Sequence, residues 1–428
     1  MNLWIKNGHV LDPANHLDEV CDVYVKEGKV ACVGSLSSDK IPDDCTVIDA
    51  EGKYVMPGLV DLHVHLREPG FEYKETIYSG THAMAKGGFT AVCPMPNTKP
   101  VTDSPAMIEK ILKIAKTDSP IHVYPVGAVT KGQQGEEMAD IAGMVKAGAK
   151  AISEDGKSVM NAEIYREAMK EAKKAGIPVL AHCEDKNMVG HGAMNAGKKA
   201  KELGICGITN AVEDVIVARD ILLAKETGVH LHLCHCSTKD SVKMVRIAKE
   251  DGVSVSAEVC PHHFAMTEDE IAGDDANYKM NPPLRSAADV GALVDGLADG
   301  TMEAISTDHA PHAEEEKKQS IAKAPFGIVG SETAYALSVT HLVKTGKLTP
   351  LQLVEKMSTN PCRILSVPGG TLSVGAPADI TIADMDSEYV IDKNTFLSKG
   401  KNTPFDGAKV NGRVYYTIVG GNIVYQYE

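Results

Sequence analysis

The chain has 428 residues, enough for one large domain of roughly 250–300 residues and a smaller one. Hydrophobic residues make up 43% and charged residues 24%, as in an ordinary soluble enzyme. The net charge of −14 repels phosphate backbones and anionic lipid head groups, so nucleic-acid and membrane partners are not expected. An anionic small substrate is still compatible with this charge, because a metal and one or two basic residues reverse the field locally.

The cysteine spacing and the N-terminal sequence indicate the cellular compartment in which the protein is expected. The ten cysteines have neither the spacing of a disulfide framework nor that of a structural zinc site. Cys234 and Cys236, two residues apart in an apolar run, are interpreted as buried free thiols rather than metal ligands. No signal peptide and no apolar run of about 18 residues is found, so a reducing cytoplasm is expected.

Both ends of the chain show short strands separated by turn residues. The apolar or alternating runs are Leu3–Ile5, Val23–Val25, Val30–Val33, Val47–Ile48, Asp379–Ala383, Tyr389–Ile391, Val414–Val419 and Asn422–Tyr425. Gly420-Gly421 separates the last two as a hairpin signal. The two ends, 1–56 and 366–428, are therefore predicted to build one small β-sandwich domain together.

Between them, residues 57–365 alternate apolar runs with helical patterns. The predicted strands are Leu59–Leu66, Phe89–Met95, Ile121–Val126, Ala149–Ser153, Pro178–His182, Val229–His235, Val253–Val259 and Glu303–Thr307. The predicted helices include Glu75–Lys86, Pro105–Lys116, Ala162–Ala175, Asp214–Lys225 and Lys239–Glu250. Eight such units predict an α/β fold, a (β/α)8 TIM barrel. A doubly wound open sheet is the competing interpretation, but no G-x-G-x-x-G loop follows the first strand.

Polar residues recur where these predicted strands end. They are His63, His65, Asn97, Asp155, His182, His235, Asn281 and Asp308. Because barrel active sites lie at the carboxyl ends of the strands, these residues are candidates for chemistry.

His63 and His65 place two imidazoles on one face of a strand, since side chains alternate with period two. Taken alone, the pair could equally be two buried, hydrogen-bonded histidines. Together with the ligand types at the other strand ends, the pair indicates a metal site. Four imidazoles and two carboxylates exceed what one catalytic zinc needs, so we predict two metals. Asp155 is preferred as their bridge over Glu154, whose side chain would point the opposite way.

Two further pairs of histidines are less informative. His230 and His232 lie on the face of their strand opposite to His235 and are interpreted as structural. His262 and His263 follow the seventh strand, near the right face, but nothing in the sequence fixes a role for them.

Arg67 lies two residues after His65, on the same face. Its fork-shaped cation suits a bidentate contact with a substrate carboxylate. The alternative is a surface arginine paired with Glu68. His312 is placed to donate to the same anion. The charge run 314–318 behind it predicts a solvated, mobile loop, and its position also fits an active-site lid.

Several motifs resemble those of the dihydroorotases. The first block is Pro57-Gly-Leu-Val-Asp-Leu-His-Val-His-Leu-Arg-Glu-Pro-Gly70. The later blocks, in order, are Met95-Pro-Asn-Thr98, Ala181-His-Cys-Glu-Asp185, Cys260-Pro-His-His263, Asn281-Pro-Pro283 and Ser306-Thr-Asp-His-Ala-Pro-His312. The similarity runs through nearly the whole chain and is closest to the long bacterial type with Asp at the bridging position.

The resemblance implies a dizinc barrel that interconverts N-carbamoyl-L-aspartate and L-dihydroorotate in pyrimidine biosynthesis. It assigns His63 and His65 to one zinc, His182 and His235 to the other, and Asp155 to the bridge. Asp308 would contact the first zinc and serve as general acid and base. The substrate-binding residues it implies are His65, Leu66, Arg67, Asn97, Asn281, His312, Phe326 and Gly327. It also implies a homodimer, with aspartate transcarbamoylase as a further partner.

Two rival functions stay open. One is a related cyclic amidase of the allantoinase or hydantoinase type. Many such relatives bridge their metals with a carboxylated lysine, and Lys150 and Lys157 flank that position without filling it, which argues against hydantoinase and dihydropyrimidinase. The other rival is a non-catalytic scaffold for a transcarbamoylase, although no expected ligand is missing from the sequence.

Overall fold

Eight parallel strands form a barrel in the middle of the chain. The computed structural model describes residues 2–36 and 45–427. The barrel strands are, in order, Leu59–Val64, Phe89–Pro94, a split third strand of His122–Val123 and Val126–Ala128, Ala151–Ser153, Val179–Ala181, Leu231–Leu233, Val255–Val259 and Ala304–Ile305. Each pairs in parallel with its neighbour, and a bridge between Val64 and His309 closes the ring. The predicted (β/α)8 barrel is confirmed.

Helices follow the strands and cover the barrel. The main ones are Ile77–Lys86, Pro105–Asp118, Ile141–Ala147, Ala162–Ala175, Ala211–Thr227, Lys239–Glu250, Ala287–Ala298, Ala334–Ser338 with its continuation Val339–Val343, and the consecutive segments Pro350–Val354, Glu355–Thr359 and Asn360–Leu365. Shorter helices in the loops are Lys186–Val189, Lys198–Leu203, Pro261–Ala265 and Glu314–Lys317. No described helix is both long and apolar enough to cross a membrane.

The barrel strands are apolar because both of their faces are covered. All six residues of the first strand and all six of the second are buried. One face packs inside the barrel, where Leu62, Ala91 and Leu180 meet, and the other packs against the helices. Burial on both faces is typical of parallel sheets and explains why the apolar runs predicted these strands well.

A second sheet is built from both ends of the chain. Its strands are Leu3–Asp12, Leu17–Lys26, Lys29–Gly34, Thr46–Asp49, Tyr54–Pro57, Ile380–Val390, Lys409–Val419 and Asn422–Gln426. They enclose a separate apolar core and form the predicted β-sandwich domain. Gly420 and Gly421 both have positive φ angles, 53° and 76°, as the tight turn between the last two strands requires.

The segment 391–408 leaves this sheet and packs on the loops at the carboxyl ends of the barrel strands. Phe396 and Phe405 join an apolar cluster with Met280 and Ile328. Asn402 Nδ2 donates to the carbonyl of Ala310 at 3.1 Å. The exact division into 1–56 with 366–428 and 57–365 stays a prediction.

The strands end earlier than the apolar runs predict. The sixth strand stops at Leu233 rather than His235, and the eighth at Ile305 rather than Thr307. His235 and Asp308 have φ angles of 35° and 48°, and Arg67 has 61°. These left-handed conformations break the strand geometry and redirect three candidate site residues.

The packing makes a direct prediction for stability. Phe89, which is fully buried at the start of the second strand, contributes to the main core. Phe89→Ala should lower the free energy of unfolding by about 3–5 kcal/mol through lost burial and a cavity. Leu222→Ala, a control at a side chain that is 66% exposed, should change it by less than about 0.5 kcal/mol. Denaturant titration of both variants measures the difference, and equal midpoints would contradict this packing.

Candidate metal centre

A cavity of about 150 Å³ lies at the carboxyl ends of the barrel strands. It is lined by His65, Arg67, Asn97, Asp155, Gly156, His182, His235, Asn281, Asp308, Ala310, Phe326 and Gly327. Other cavities of about 290, 330 and 370 Å³ are larger, but none of these three has more than one imidazole in its wall. Chemistry rather than volume therefore distinguishes the small cavity.

The Asp155 carboxylate lies at the centre of four imidazoles. Its Oδ1 is 3.1 Å from His63 Nε2, 3.6 Å from His182 Nδ1 and 3.9 Å from His235 Nε2. Its Oδ2 is 3.6 Å from His65 Nε2. Burial alone would raise the pKa of Asp155, but the charge of His63 and the adjacent imidazoles of His182 and His235 hold it well below its usual range.

Asp308 completes the cluster from the end of the eighth strand. Its Oδ1 is 3.0 Å from His65 Nε2 and 3.5 Å from His63 Nε2. Burial would raise the pKa of Asp308, but the charge of His63 and the hydrogen bond of His65 lower it below its ordinary value. The carboxylate is thus ionised at neutral pH and able to accept a proton.

The donors of this cluster fit metal ions. The ligating atoms of His63, Asp155 and His235 lie within 4.8 Å of one another, and so do those of His63, His65 and Asp308. His63 Nε2 is buried and makes no hydrogen bond in the described structure. Imidazole nitrogens and carboxylate oxygens are ligands that zinc accepts, and an orphaned buried nitrogen is the atom that a metal would satisfy.

Asn97 and Arg67 line the same cavity. Asn97 Oδ1 is 3.0 Å from His65 Nδ1, and its Nδ2 donates to Asp155 Oδ2 at 3.0 Å, so this amide also orients two of the clustered side chains. Arg67 Nε donates to the carbonyl of Pro311 at 3.2 Å. The alternative pairing with Glu68 is not found, because the Glu68 carboxylate accepts from the backbone N–H of Ile77 instead.

Of the remaining residues predicted to bind substrate, some line the cavity and others do not. Asn281 lines the cavity and donates to the Glu184 carboxylate, and Phe326 and Gly327 also line it. His312 lies behind that wall, with its Nε2 donating to the Phe326 carbonyl at 2.7 Å. The Leu66 side chain is fully buried in the main apolar core between strands and helices, and Leu66 is not among the residues that line the cavity.

A family model described as Dihydro-orotase-like matches residues 52–241. The chain is 51% identical over 426 residues to a protein named Dihydroorotase from Pelotomaculum thermopropionicum, covering 100% of this chain and 99% of that one. It is 47% identical over 420 residues to a protein of the same name from Acetivibrio thermocellus, covering 98% of each.

The chain belongs to the dihydroorotase family.

Among solved structures, this dihydroorotase family member is similar to an L-hydantoinase (dihydropyrimidinase) from Arthrobacter aurescens. The TM-score is 0.87 at 28% identity, covering 99% of this chain and 96% of the other. The chain therefore shares its overall fold with that protein.

Two acidic residues that the sequence pattern did not predict lie in a layer behind the cluster. Glu258, buried in the seventh strand, has its Oε1 3.2 Å from His63 Nδ1 and its Oε2 3.0 Å from His232 Nε2. Asp61 accepts from the backbone N–H groups of His63 at 3.0 Å and Thr307 at 3.1 Å. An acidic residue inside an otherwise apolar strand was the available signal, because a buried charge needs partners.

The other histidines and cysteines lie around this layer. His230 contacts Ser254 and Ser256, and His232 contacts Ser256 and Glu258. His263 Nε2 donates to the Pro282 carbonyl at 2.9 Å. Cys234 and Cys236 are buried free thiols, as predicted. The groups His63–Cys234–Glu258 and Cys260–His262–His263 also bring potential ligand atoms within 4.8 Å.

The contact between Glu258 and His63 generates a prediction. Burial would raise the pKa of Glu258, but the hydrogen bonds of His232 and His63 lower it, so the carboxylate is charged and fixes the His63 ring. Glu258→Gln should weaken zinc affinity by about 10–100-fold, measured by competition with a chromogenic chelator. Glu250→Gln on the exposed surface should leave affinity unchanged. Wild-type affinity in a folded Glu258→Gln protein would contradict the role of this contact.

Proposed function

We propose that this chain is a dihydroorotase, a cyclic amide hydrolase that interconverts N-carbamoyl-L-aspartate and L-dihydroorotate. The observation that carries the proposal is the half-buried Arg67 guanidinium in the wall of the imidazole-carboxylate cavity, in a chain 51% identical to a relative named Dihydroorotase. A cation beside a candidate metal cluster suits a cyclic amide that bears a carboxylate.

Two zinc ions would be held by the clustered side chains, with Asp155 between them. The ligands would be His63, His65, His182, His235, Asp155 and Asp308. When bound, zinc supplies Lewis acidity and lowers the pKa of water toward about 7. The scaffold alternative is disfavoured because all six ligand-type side chains converge on one buried cluster.

The chain's own residues then bind the substrate and move the proton. Arg67 and Asn97 hold the substrate carboxylate, while Asn281 and the backbone of 326–327 contact the ring. His312, which the resemblance implies for the same carboxylate, would reach it only after its Nε2 releases the Phe326 carbonyl. In hydrolysis, Asp308 accepts a proton from the attacking water and delivers it to the departing ring nitrogen. In ring closure, Asp308 accepts the proton of the attacking ureido nitrogen and delivers it to the departing carboxylate oxygen, which leaves as water after taking a second proton from the solvent.

For partners, we propose a homodimer in the cytoplasm, with aspartate transcarbamoylase as a further associated enzyme. The family resemblance supports these assignments. Size-exclusion chromatography with light scattering would test the dimer.

The role of Asp308 predicts a specific loss. Asp308→Asn removes the proton acceptor but keeps the shape, so kcat for dihydroorotate hydrolysis should fall by about 10²–10⁴-fold while KM changes little. Asp251→Asn, an exposed surface change, is the control and should retain full turnover. Near-normal turnover in a folded, zinc-loaded Asp308→Asn protein would eliminate the assignment.

The role of Arg67 predicts a change in substrate choice. Arg67→Ala should raise KM for dihydroorotate by about 10–100-fold, because a charge-assisted hydrogen bond contributes about 1.5–3 kcal/mol. The surface variant Arg166→Ala is the control. Wild-type protein should turn over uncharged 5,6-dihydrouracil far more slowly than dihydroorotate, and equal rates on the two compounds would favour an amidase of the hydantoinase type.

A further inference from the structure

Lys317 is a buried lysine in a run of charged residues. The run 314–318 predicted a solvated loop, but the structure contains a short helix, Glu314–Lys317, whose last side chain points inward. Lys317 is only 8% exposed, whereas its neighbour Lys318 is exposed and pairs with Glu314 and Glu315. The expectation of a fully solvated run is wrong at this residue, because backbone carbonyls satisfy its buried charge.

Three backbone carbonyls accept hydrogen bonds from the Lys317 ammonium group. Nζ lies 2.9 Å from the oxygen of Gly327, 3.1 Å from that of Pro325 and 3.3 Å from that of Lys279. An ammonium group has three N–H donors, so the three acceptors match its capacity. A neutral amine has only two donors, and its lone pair would face a carbonyl oxygen.

These carbonyls belong to two segments that form one wall of the candidate active-site cavity. Phe326 and Gly327 line the cavity, and Asn281, two residues after Lys279, lines it as well. The segments also contact each other directly, because the N–H of Gly327 donates to the Lys279 carbonyl at 3.0 Å and Lys279 Nζ lies 4.4 Å from the Phe326 ring centre. Lys317 is thus a buried cationic link between them.

Gly327 shows how closely this wall is packed. Its φ of 125° is strained for any other residue, and a Cβ there would lie 2.6 Å from the Ala310 Cβ. Asn402 Nδ2 adds a further hydrogen bond to the Gly327 carbonyl at 3.0 Å. A backbone held this tightly suits a surface that contacts a small ring.

We propose that Lys317 is a positioning residue, whose ammonium group ties 325–327 to Lys279 and so fixes the backbone that contacts the substrate ring. This inference rests on the proposed function, because the ring is that of dihydroorotate. Lys317 does not touch the reacting atoms. Its loss should therefore raise KM and leave kcat nearly unchanged, the pattern expected when ground-state and transition-state binding weaken equally.

The three hydrogen bonds from Lys317 to the carbonyls of Lys279, Pro325 and Gly327 form a tether between the two segments. The charges around Lys317 make this tether sensitive to pH. Burial and the charge of Lys279 lower its pKa to about 7, while Asp275 and Glu316 raise it to a smaller extent. His312 also faces it and is neutral, since burial and the nearby charges of Arg67, Lys74 and Lys317 lower its pKa to about 2. Further charged side chains line a neighbouring cavity with Lys317, namely Glu314, Lys318, Lys393, Lys399 and Lys401. The tether is therefore complete below pH 7 and weakens as the pH rises through about 7.

The test compares Lys317→Met, which removes the donors, with Lys317→Arg, which keeps a charge that does not titrate in this range. Lys318→Met is the matched control on the exposed neighbour. We expect KM for dihydroorotate at pH 6.5 to rise about tenfold in Lys317→Met, with kcat within about twofold of wild type and zinc content unchanged. KM of the wild type should rise between pH 6.5 and 8.5, and this rise should be absent from Lys317→Arg.

Hydrogen–deuterium exchange gives a readout that does not need activity. Amides of 325–327 should exchange faster in Lys317→Met than in wild type or Lys318→Met. If wild type has no turnover but the exchange difference is present, the proposed function fails and the tether stands. Unchanged KM and unchanged exchange in Lys317→Met would overturn the tether. If Lys317→Met does not fold, Lys317→Gln takes its place, and unchanged KM and unchanged exchange in that variant would overturn the tether. Matching KM–pH profiles in wild type and Lys317→Arg would overturn its pH dependence.

Discussion

The Asp155 carboxylate is the group on which the rest of the site depends. It is buried, charged and within 3.9 Å of imidazole nitrogens from four different histidines. An isolated charge in the interior of a protein is costly, so this arrangement is stable only if positive charge or hydrogen bonds surround the carboxylate. Four imidazoles provide part of that balance, and a pair of zinc ions would complete it.

A barrel can hold such a cluster because its strands bring distant residues to one end. The first, fourth, fifth, sixth and eighth strands all contribute a side chain at or just after their carboxyl ends. Behind them, Glu258 and Asp61 bind His63 through its ring and its backbone, so a single imidazole is fixed from two directions. The segment 391–408 adds a second support from the β-sandwich side, through Asn402 and the carbonyls of Ala310 and Gly327.

Much of this could be predicted from the sequence, and the reasons are physical. Strands buried on both faces give continuous apolar runs, so polar residues at their ends stood out and led to His63, His65, Asp155 and Asp308. The sequence did not predict the buried positions of Glu258 and Lys317. Both residues acquire their partners only through tertiary contacts. Alternation along a strand also could not foresee the left-handed backbone of Arg67, His235 and Asp308. The orientation of His312 toward the Phe326 carbonyl has no sequence signal.

The central claim is that the Asp155 cluster is a two-zinc centre for hydrolysis of dihydroorotate. The most direct measurement is to strip the protein with a chelator, add zinc back stepwise, and record dihydroorotate turnover and bound zinc on the same samples. We expect no turnover in the stripped protein and a plateau of activity when two zinc ions are bound per chain. Full turnover in the stripped protein, or none in folded protein that carries two zinc ions, would contradict it.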